Sequence, residues 1–385
     1  MSTEEESEVR NRQPKNSKFK QQALPAWQPI LTAGTVLPAF FVIGVAFIPI
    51  GIGLLYFSNQ VLEVTYDYTE CKENTVSSAT PRQCSAVLTD NPDASCTCLL
   101  NLNSSDFGTE DWVGKVFIYY GLTNFYQNHR RYVKSRDDNQ LLGNLGSPSE
   151  ECVPFLRPND TDKNQFYAPC GAIANSLFSD VITIEYKRKG DPDSSFKPVQ
   201  VSRKNIAWES DKKHKFKNPP IPQGKDLATV LTEAGALKPQ DWKRNLWELD
   251  LEDPDNNGFQ NEDLIVWMRA AALPNFRKLY RRVDHENEAA SNSYDPAFQN
   301  GLPVKDYEYR LRINYSFRVT EFQGTKSVIL STTSLLGGRN PFLGIAYIVV
   351  GVICFLMGVV FLFIHLRFGR KTQEMMNITA RTPFN

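Results

Sequence analysis

Two long stretches without a charged side chain or a histidine, Leu31 to Phe57 and Phe342 to Ile364, constrain this chain more than any other feature. A helix needs roughly 20 mainly apolar residues to cross about 30 Å of hydrocarbon. A helix buried in the core of a soluble protein seldom stays uncharged all round for so long. Each stretch is therefore read as a transmembrane helix. The first follows a hydrophilic tail, exceeds the apolar length of a signal peptide, and has no small-residue cleavage site behind it, so it reads as a retained anchor. The mean hydropathy of −0.37 is the average of these two stretches and a polar middle.

Charge sets the expected orientation. Arg10, Arg12, Lys15, Lys18 and Lys20 precede the first stretch, and Glu63, Asp67 and Glu70 follow it. Arg367, Arg370 and Lys371 stand behind the second, with only Arg339 close in front. Basic residues are retained on the cytosolic side. The expected layout is thus a cytosolic tail over 1–29, a transmembrane helix over 30–57, one extracytosolic domain over 58–340, a second transmembrane helix over 341–366 and a cytosolic tail over 367–385.

The middle carries strand patterns. From Tyr309 to Thr320, Tyr309, Leu311, Ile313, Tyr315, Phe317 and Val319 alternate with Arg310, Arg312, Asn314, Ser316, Arg318 and Thr320. Strict period two gives one buried and one wet face. Val181 to Lys187 repeats the pattern, and Val116 to Tyr120 and Ser327 to Leu330 are further expected strands. Turn-separated short strands point to an antiparallel sandwich-like domain. Short helices are expected over Asp226 to Ala234, ahead of Gly235, and after Asn261, where Glu262 and Asp263 suit a helix N-terminus and Pro274 would stop it.

Six of the seven cysteines, Cys71, Cys84, Cys96, Cys98, Cys152 and Cys170, fall in the middle region, and Cys354 lies in the second apolar stretch. An even set beyond a membrane anchor suggests disulfides formed in an oxidising compartment. Cys152 and Cys170 would close one loop. The other four allow three pairings. A bond between Cys96 and Cys98 is strained by their spacing, and the nested set, Cys71 with Cys98 and Cys84 with Cys96, is the one expected. Asn-x-Ser/Thr acceptors stand at Asn103, Asn159 and Asn314 in the same region. Asn314 falls on the wet face of its strand, where a glycan has room. A fourth, Asn377, falls on the cytosolic side and should stay bare.

Chemistry is harder to find. Asp253, Asp255, Asn257 and Gly258 copy the first half of a calcium loop, but loop position twelve is Leu264 where a bidentate Glu is needed. An Asx-rich turn is the better reading. His129, His214, His285 and His365 lack metal-ligand spacing, and no Cys-x-x-Cys, nucleophile elbow, phosphate-binding loop or phosphorylatable Asp-Lys-Thr-Gly occurs, so no metal, cofactor or enzymatic activity is expected. Net charge is zero, with 43 basic and 43 acidic residues. The basic clusters at His129 to Arg131 and Lys212 to Lys217 read as solvated faces rather than nucleic-acid sites. In the second apolar stretch Gly344, Gly351 and Gly358 recur every seven residues, which places them near one helix face where another helix could approach closely.

Several longer segments carry a resemblance: Phe19-Lys-Gln-Gln, Leu24-Pro-Ala-Trp-Gln-Pro-Ile30, Tyr119-Tyr-Gly, Asn124-Phe-Tyr-Gln-Asn-His-Arg-Arg-Tyr132, Ala168-Pro-Cys-Gly-Ala-Ile-Ala-Asn175 and Asn340-Pro-Phe-Leu-Gly-Ile-Ala-Tyr347. In this order, and with this topology, the chain resembles the cell cycle control protein 50 family, also called ligand-effect modulator proteins. The Asp253 to Asp263 stretch with Ile265-Val-Trp-Met-Arg269 also resembles a family segment. The resemblance implies an antiparallel β-sandwich outside the membrane. It further implies a non-catalytic β-subunit that partners a type-IV P-type ATPase moving aminophospholipids such as phosphatidylserine to the cytosolic leaflet. Such a subunit supports the partner's folding, exit from the endoplasmic reticulum and transport, in endoplasmic reticulum, Golgi, endosomal and plasma membranes. The Cys71 to Cys84 spacing is longer than the family pattern leads one to expect.

The alternative with the same silhouette is a two-span ligand-gated channel subunit. Pores of that kind need polar lining, and both apolar stretches here lack it.

Overall fold

The computed structural model describes residues 16–24, 32–74, 81–92, 94–103, 105–108, 110–159, 164–286 and 295–368. Arg10, Arg12, Lys15, Arg370, Lys371 and Asn377 lie outside these. Two units result: one holds the apolar helices up to Leu55 and from Pro341, and the other is Tyr56–Asn340.

In the first unit, helix α1 spans Ala33–Asn59, and a second long helix covers Pro341–Phe368. Their most apolar windows have mean hydropathies of 2.4 and 2.9. At 27 and 28 residues both are long enough to cross a bilayer, and both leave bulky side chains such as Val45, Ile52, Ile353 and Leu356 exposed. Exposure of this kind is stable in hydrocarbon and not in water. The chain is a membrane protein with two transmembrane helices.

The second unit is mainly β. Strands β1 (Glu63–Asp67), β2 (Cys96–Leu102), β3 (Val116–Leu122), β4 (Val181–Arg188), β5 (Phe276–Val283), β6 (Tyr307–Tyr315) and β7 (Lys326–Thr332) build two antiparallel sheets. One runs β1-β7-β3-β5 and ends on the short strand Val201–Ser202; the other runs β2-β6-β4 and ends on Lys197–Pro198. Ile118 and Leu122 of one sheet and Ile184, Leu311 and Ile313 of the other are buried in a single core. A hydrogen bond from the Ile182 N–H to the Tyr280 hydroxyl, 3.1 Å, joins the two sheets across it.

Strand β6 shows how the alternating sequence works. Tyr307, Tyr309, Leu311, Ile313 and Tyr315 are buried, while the residues between them face outward. It is an inner strand of its sheet, with Ile313 opposite both Cys98 and Ile182. The strand stops at Tyr315, short of the expected Thr320. The N–H groups of Ser316 and Phe317 leave the ladder and donate to Asp180 Oδ1, each at 2.6 Å. A single carboxylate thus ends the strand, although Phe317 and Val319 remain buried beyond it.

Strand β5 was not legible from alternation, because its sequence carries Arg277, Lys278, Arg281 and Arg282. Its pairing with β3 shifts register between Leu279 and Arg281. Such a bulge opposes two residues to one and turns neighbouring side chains to the same face, so Tyr280 and Arg281 are both buried.

Short helices decorate the sheets. Helix α2, Leu227–Glu233, begins where the Asp226 side chain accepts from the Thr229 N–H at 2.8 Å and ends before Gly235, whose φ of 82° is costly for any side chain. Helix α3, Glu262–Met268, is capped by Asn261, which accepts from Leu264 N–H. It ends well before Pro274, the expected stop. Lys278 Nζ takes the terminal carbonyls of Val266 and Trp267 at 2.9 and 3.1 Å and so finishes the helix.

Candidate functional site

The helix following the domain, Pro341–Phe368, is labelled α4. Gly344, Gly351 and Gly358 are its buried residues, and all three face α1. A methyl group added at Gly344 would lie 2.8 Å from the backbone nitrogen of Leu55, and one at Gly351 would lie 2.9 Å from Ile48 Cγ1 and 3.1 Å from its backbone nitrogen. Helix α1 answers with its own pair at the same seven-residue interval, Gly44 and Gly51. A methyl group on these would meet the carbonyl oxygens of Gly351 at 3.1 Å and Gly344 at 2.8 Å. That pair was missed from the sequence, although its spacing could have shown it. Ring pairs flank the seam: Phe40 with Phe361, Phe41 with Phe355 and Phe47 with Tyr347, at centroid distances of 5.4, 5.6 and 4.9 Å. In lipid no hydrophobic drive favours helix contact, so close packing of this kind supplies the association. With the glycines turned onto each other, the surface left for lipid or another protein is one of branched aliphatic side chains interspersed with aromatic ones such as Tyr56 and Phe363.

In the β domain three disulfides are formed: Cys71–Cys98, Cys84–Cys96 and Cys152–Cys170, with Cα separations of 6.0, 5.5 and 5.6 Å. Cys96 and Cys98 both point inward from β2, two residues apart on one face, and each reaches a different upstream segment. The sulfurs of Cys71, Cys84 and Cys98 lie within 4.8 Å of one another. Bonded in disulfides, they offer no thiolate to a metal. Cys354, in α4, is unbonded. Asn103, Asn159 and Asn314 are all exposed. The Asn314 side chain, on the outer face of β6, accepts from Thr97 Oγ1 at 2.8 Å.

Buried charge holds the domain together. Lys326 and Asp180 are fully buried and 2.6 Å apart. Asp180 also accepts from the Tyr68 hydroxyl at 2.8 Å and from the two amides that end β6. Lys326 also donates to the Phe317 carbonyl at 2.6 Å. Burial pushes the Lys326 ammonium down to about 8, against the pull of Asp180, and raises the Tyr68 phenol. Glu262 is wrapped similarly. The N–H groups of Ile206 and Ala207, at 2.8 and 3.0 Å, and Lys212 Nζ, at 2.7 Å, all donate to its carboxylate. Burial alone would raise it; the amides and the ammonium outweigh burial and hold it below the ordinary carboxylate range.

The calcium-like segment is used up internally. Asp253 caps a turn through the Asp255 N–H, Asn257 accepts from Asp250 and Gly258, Asn256 accepts from Glu262 N–H, and Lys204 pairs with Asp253 at 2.7 Å. The Asp253, Asn256 and Asn257 oxygens thus serve the local turn, in the manner of an Asx-rich turn. A cavity of about 460 Å³ opens beside Phe178, Trp242 and Tyr315. The carboxylates on its wall are committed: Asp180 as above, Asp241 to the Asn175 amide at 2.6 Å, and Asp263 to the Arg281 guanidinium. These paired acids position neighbours rather than offer a free acid–base couple.

Residues 54–371 match the LEM3 (ligand-effect modulator 3) family / CDC50 family. The chain is 47% identical over 374 residues to cell cycle control protein 50A of Mus musculus, covering 96% of this chain and 94% of that protein. It is 43% identical over 367 residues to cell cycle control protein 50B of Homo sapiens, covering 94% and 96%. With ALA-interacting subunit 3 of Arabidopsis thaliana it shares 36% over 365 residues, covering 94% and 89%.

Proposed function

The chain belongs to the LEM3/CDC50 family, and from that premise we propose that it is the non-catalytic accessory subunit of a type-IV P-type ATPase that flips aminophospholipids. The observation carrying this reading is the family match along nearly the whole chain, which includes a plant relative whose name describes an interacting subunit. The β domain is extracytosolic over 58–340, both termini are cytosolic, and Asn103, Asn159 and Asn314 carry glycans. The closed glycine seam supports the same reading. Two helices that satisfy each other's small-residue faces make a rigid anchor, and the remaining apolar surface suits packing against the membrane helices of a catalytic partner. An interface present only in the assembled pair stabilises both chains, so the subunit supports the partner's folding, export from the endoplasmic reticulum and transport.

The test is aminophospholipid uptake, together with glycosidase sensitivity of the partner ATPase, in cells lacking this chain and its family paralogues. Expected are lost uptake and a partner retained with immature glycans, both restored by the full sequence. Unchanged uptake and normal partner maturation would refute the role.

A further inference from the structure

We infer that the turn Ser334 to Gly337 is a membrane-surface anchor that places Leu335 and Leu336 in the acyl region of the bilayer leaflet on the domain's side.

The turn is a built feature. The Ser334 N–H donates to the Gly337 carbonyl at 2.8 Å, and the Gly337 N–H returns to the Ser334 carbonyl at 3.0 Å. Ser334 Oγ also donates to the Gly337 carbonyl, and Gly337 takes a φ of 104°, a backbone state open to glycine. This leaves a two-residue tip consisting of Leu335 and Leu336, which are 88% and 57% exposed. A solvated tip of this kind is ordinarily filled by Asn, Asp or Gly. Two adjacent leucines held out by a closed turn are instead suited to an apolar medium.

Chain connectivity identifies that medium. Leu336 is five Cα steps from Pro341, the first residue of α4, a reach of at most about 18 Å. The base of the turn is also tied to the other span. The Thr332 N–H donates to the Leu62 carbonyl, and the Leu62 N–H donates to Thr332 Oγ1, both at 2.9 Å. Leu62 stands three residues after Asn59, where α1 ends. At the other end, the Asn340 N–H donates to Ser58 Oγ at 3.0 Å. The tip is thus tethered within a few residues of the ends of both transmembrane helices. From Thr332 to Leu335 the chain can advance at most about 10 Å, enough to traverse an interfacial layer of roughly 5–7 Å on one side of the hydrocarbon. Exposed Arg339 follows closely, and a basic side chain there can keep its stem in the interface and its head among phosphates. The occupant is the lipid leaflet itself, recognised by its acyl chains and not by one headgroup.

The experiment uses the full chain in phosphatidylcholine nanodiscs, with Cys354→Ala removing the unbonded thiol. Leu335→Cys carries an environment-sensitive fluorophore, and Val113→Cys, at a site 79% exposed on another strand, carries the same probe as the aqueous reference. Expected are a blue-shifted emission at 335 and quenching of about twofold or more by lipid spin-labelled high on the acyl chain, with neither at 113. Both variants should melt with the parent, because neither side chain is packed. Water-like emission at 335 without lipid quenching would overturn the inference. So would a probe that becomes shielded only when the catalytic partner is added and is then not quenched by lipid, since a protein would be the occupant.

Discussion

Replacing Asp180 by alanine should be among the most destabilising single changes available in the β domain. The substitution removes the partner of a fully buried ammonium and the acceptor of the Ser316 and Phe317 amides and the Tyr68 hydroxyl. Breaking a buried ion pair from one side costs about 3–5 kcal/mol, and each buried amide left without a partner costs about 1–3 kcal/mol. Lys326 keeps one carbonyl contact, to Phe317, so the terms do not simply add, and a total of about 5 kcal/mol is expected. That corresponds to a fall of roughly 10–20 °C in the melting temperature of a domain this size. The cycle separates charge from packing. Asp180→Asn keeps an oxygen for the two amides but removes the charge and sets an NH2 donor where Oδ2 accepted from Tyr68 and Lys326, and adding Lys326→Met removes the orphaned cation. Exchanging a buried pair for uncharged groups of similar volume is often close to neutral, so the double variant should recover most of the loss. Intrinsic tryptophan fluorescence of the full chain in detergent, with six tryptophans, reads the melt. An Asp180→Ala variant that melts within about 2 °C of the parent, or a double variant no better than Asp180→Asn, would refute the reasoning.

Gly351→Leu should separate α1 from α4, because even its Cβ meets Ile48 backbone at 3.1 Å; disulfide crosslinking between engineered cysteines across the seam should fall. Gly53→Leu, with nothing within 4 Å, serves as the control and should leave crosslinking intact. Cys152→Ser should expose one new thiol, at Cys170, as read by peptide mapping, and should cost about 3 kcal/mol for the opened loop in the chain-entropy account. Glu262 and Glu185 both sit below the ordinary carboxylate range. Burial opposes this in both, but is outweighed at Glu262 by amides and Lys212 and at Glu185 by Arg312 and Arg310. A depressed carboxylate contributes stability above its unfolded value of about 4.3 and loses it as pH falls through the folded value. The melting temperature should therefore hold steady between about pH 5 and pH 7 and drop below pH 4, with a shallower acid slope in Glu262→Gln.

The fold was legible where local pattern and tertiary role agree. The uncharged stretches marked both spans because a bilayer tolerates little else, and β6 showed its alternation because one face meets the core and the other meets solvent. Strand β5 broke this rule: its lysine and arginine are buried, satisfied by α3 carbonyls and by Asp263. Those partners lie 11–18 residues away in sequence, where no period-two pattern looks. Strand β2 was hidden for another reason, since its inward positions are filled by disulfide cysteines rather than by the β-branched residues that mark a strand. The end of β6 depended on Asp180, more than a hundred residues upstream, and nothing near Tyr315 marks it.

The glycine seam shows what spacing along one helix can and cannot specify. Seven-residue recurrence in α4 marked a face for close approach but left the approaching helix open between this chain and a partner. The recurrence of Gly44 and Gly51 in α1 resolves it physically: close backbone contact requires small residues on both sides, and an antiparallel pair with equal intervals keeps them in step. Under the proposed role, recognition of a catalytic partner within the membrane would use the other faces, where Val45, Ile52, Val349, Ile353 and Leu356 are exposed. Such side chains pack by shape and branching, so specificity along these helices depends on complementary volume. Exchanges that keep size, such as Ile353→Leu, should be tolerated, while Ile353→Ala should weaken co-purification with the partner if that face is the one engaged, and equal recovery would move the interface to another face.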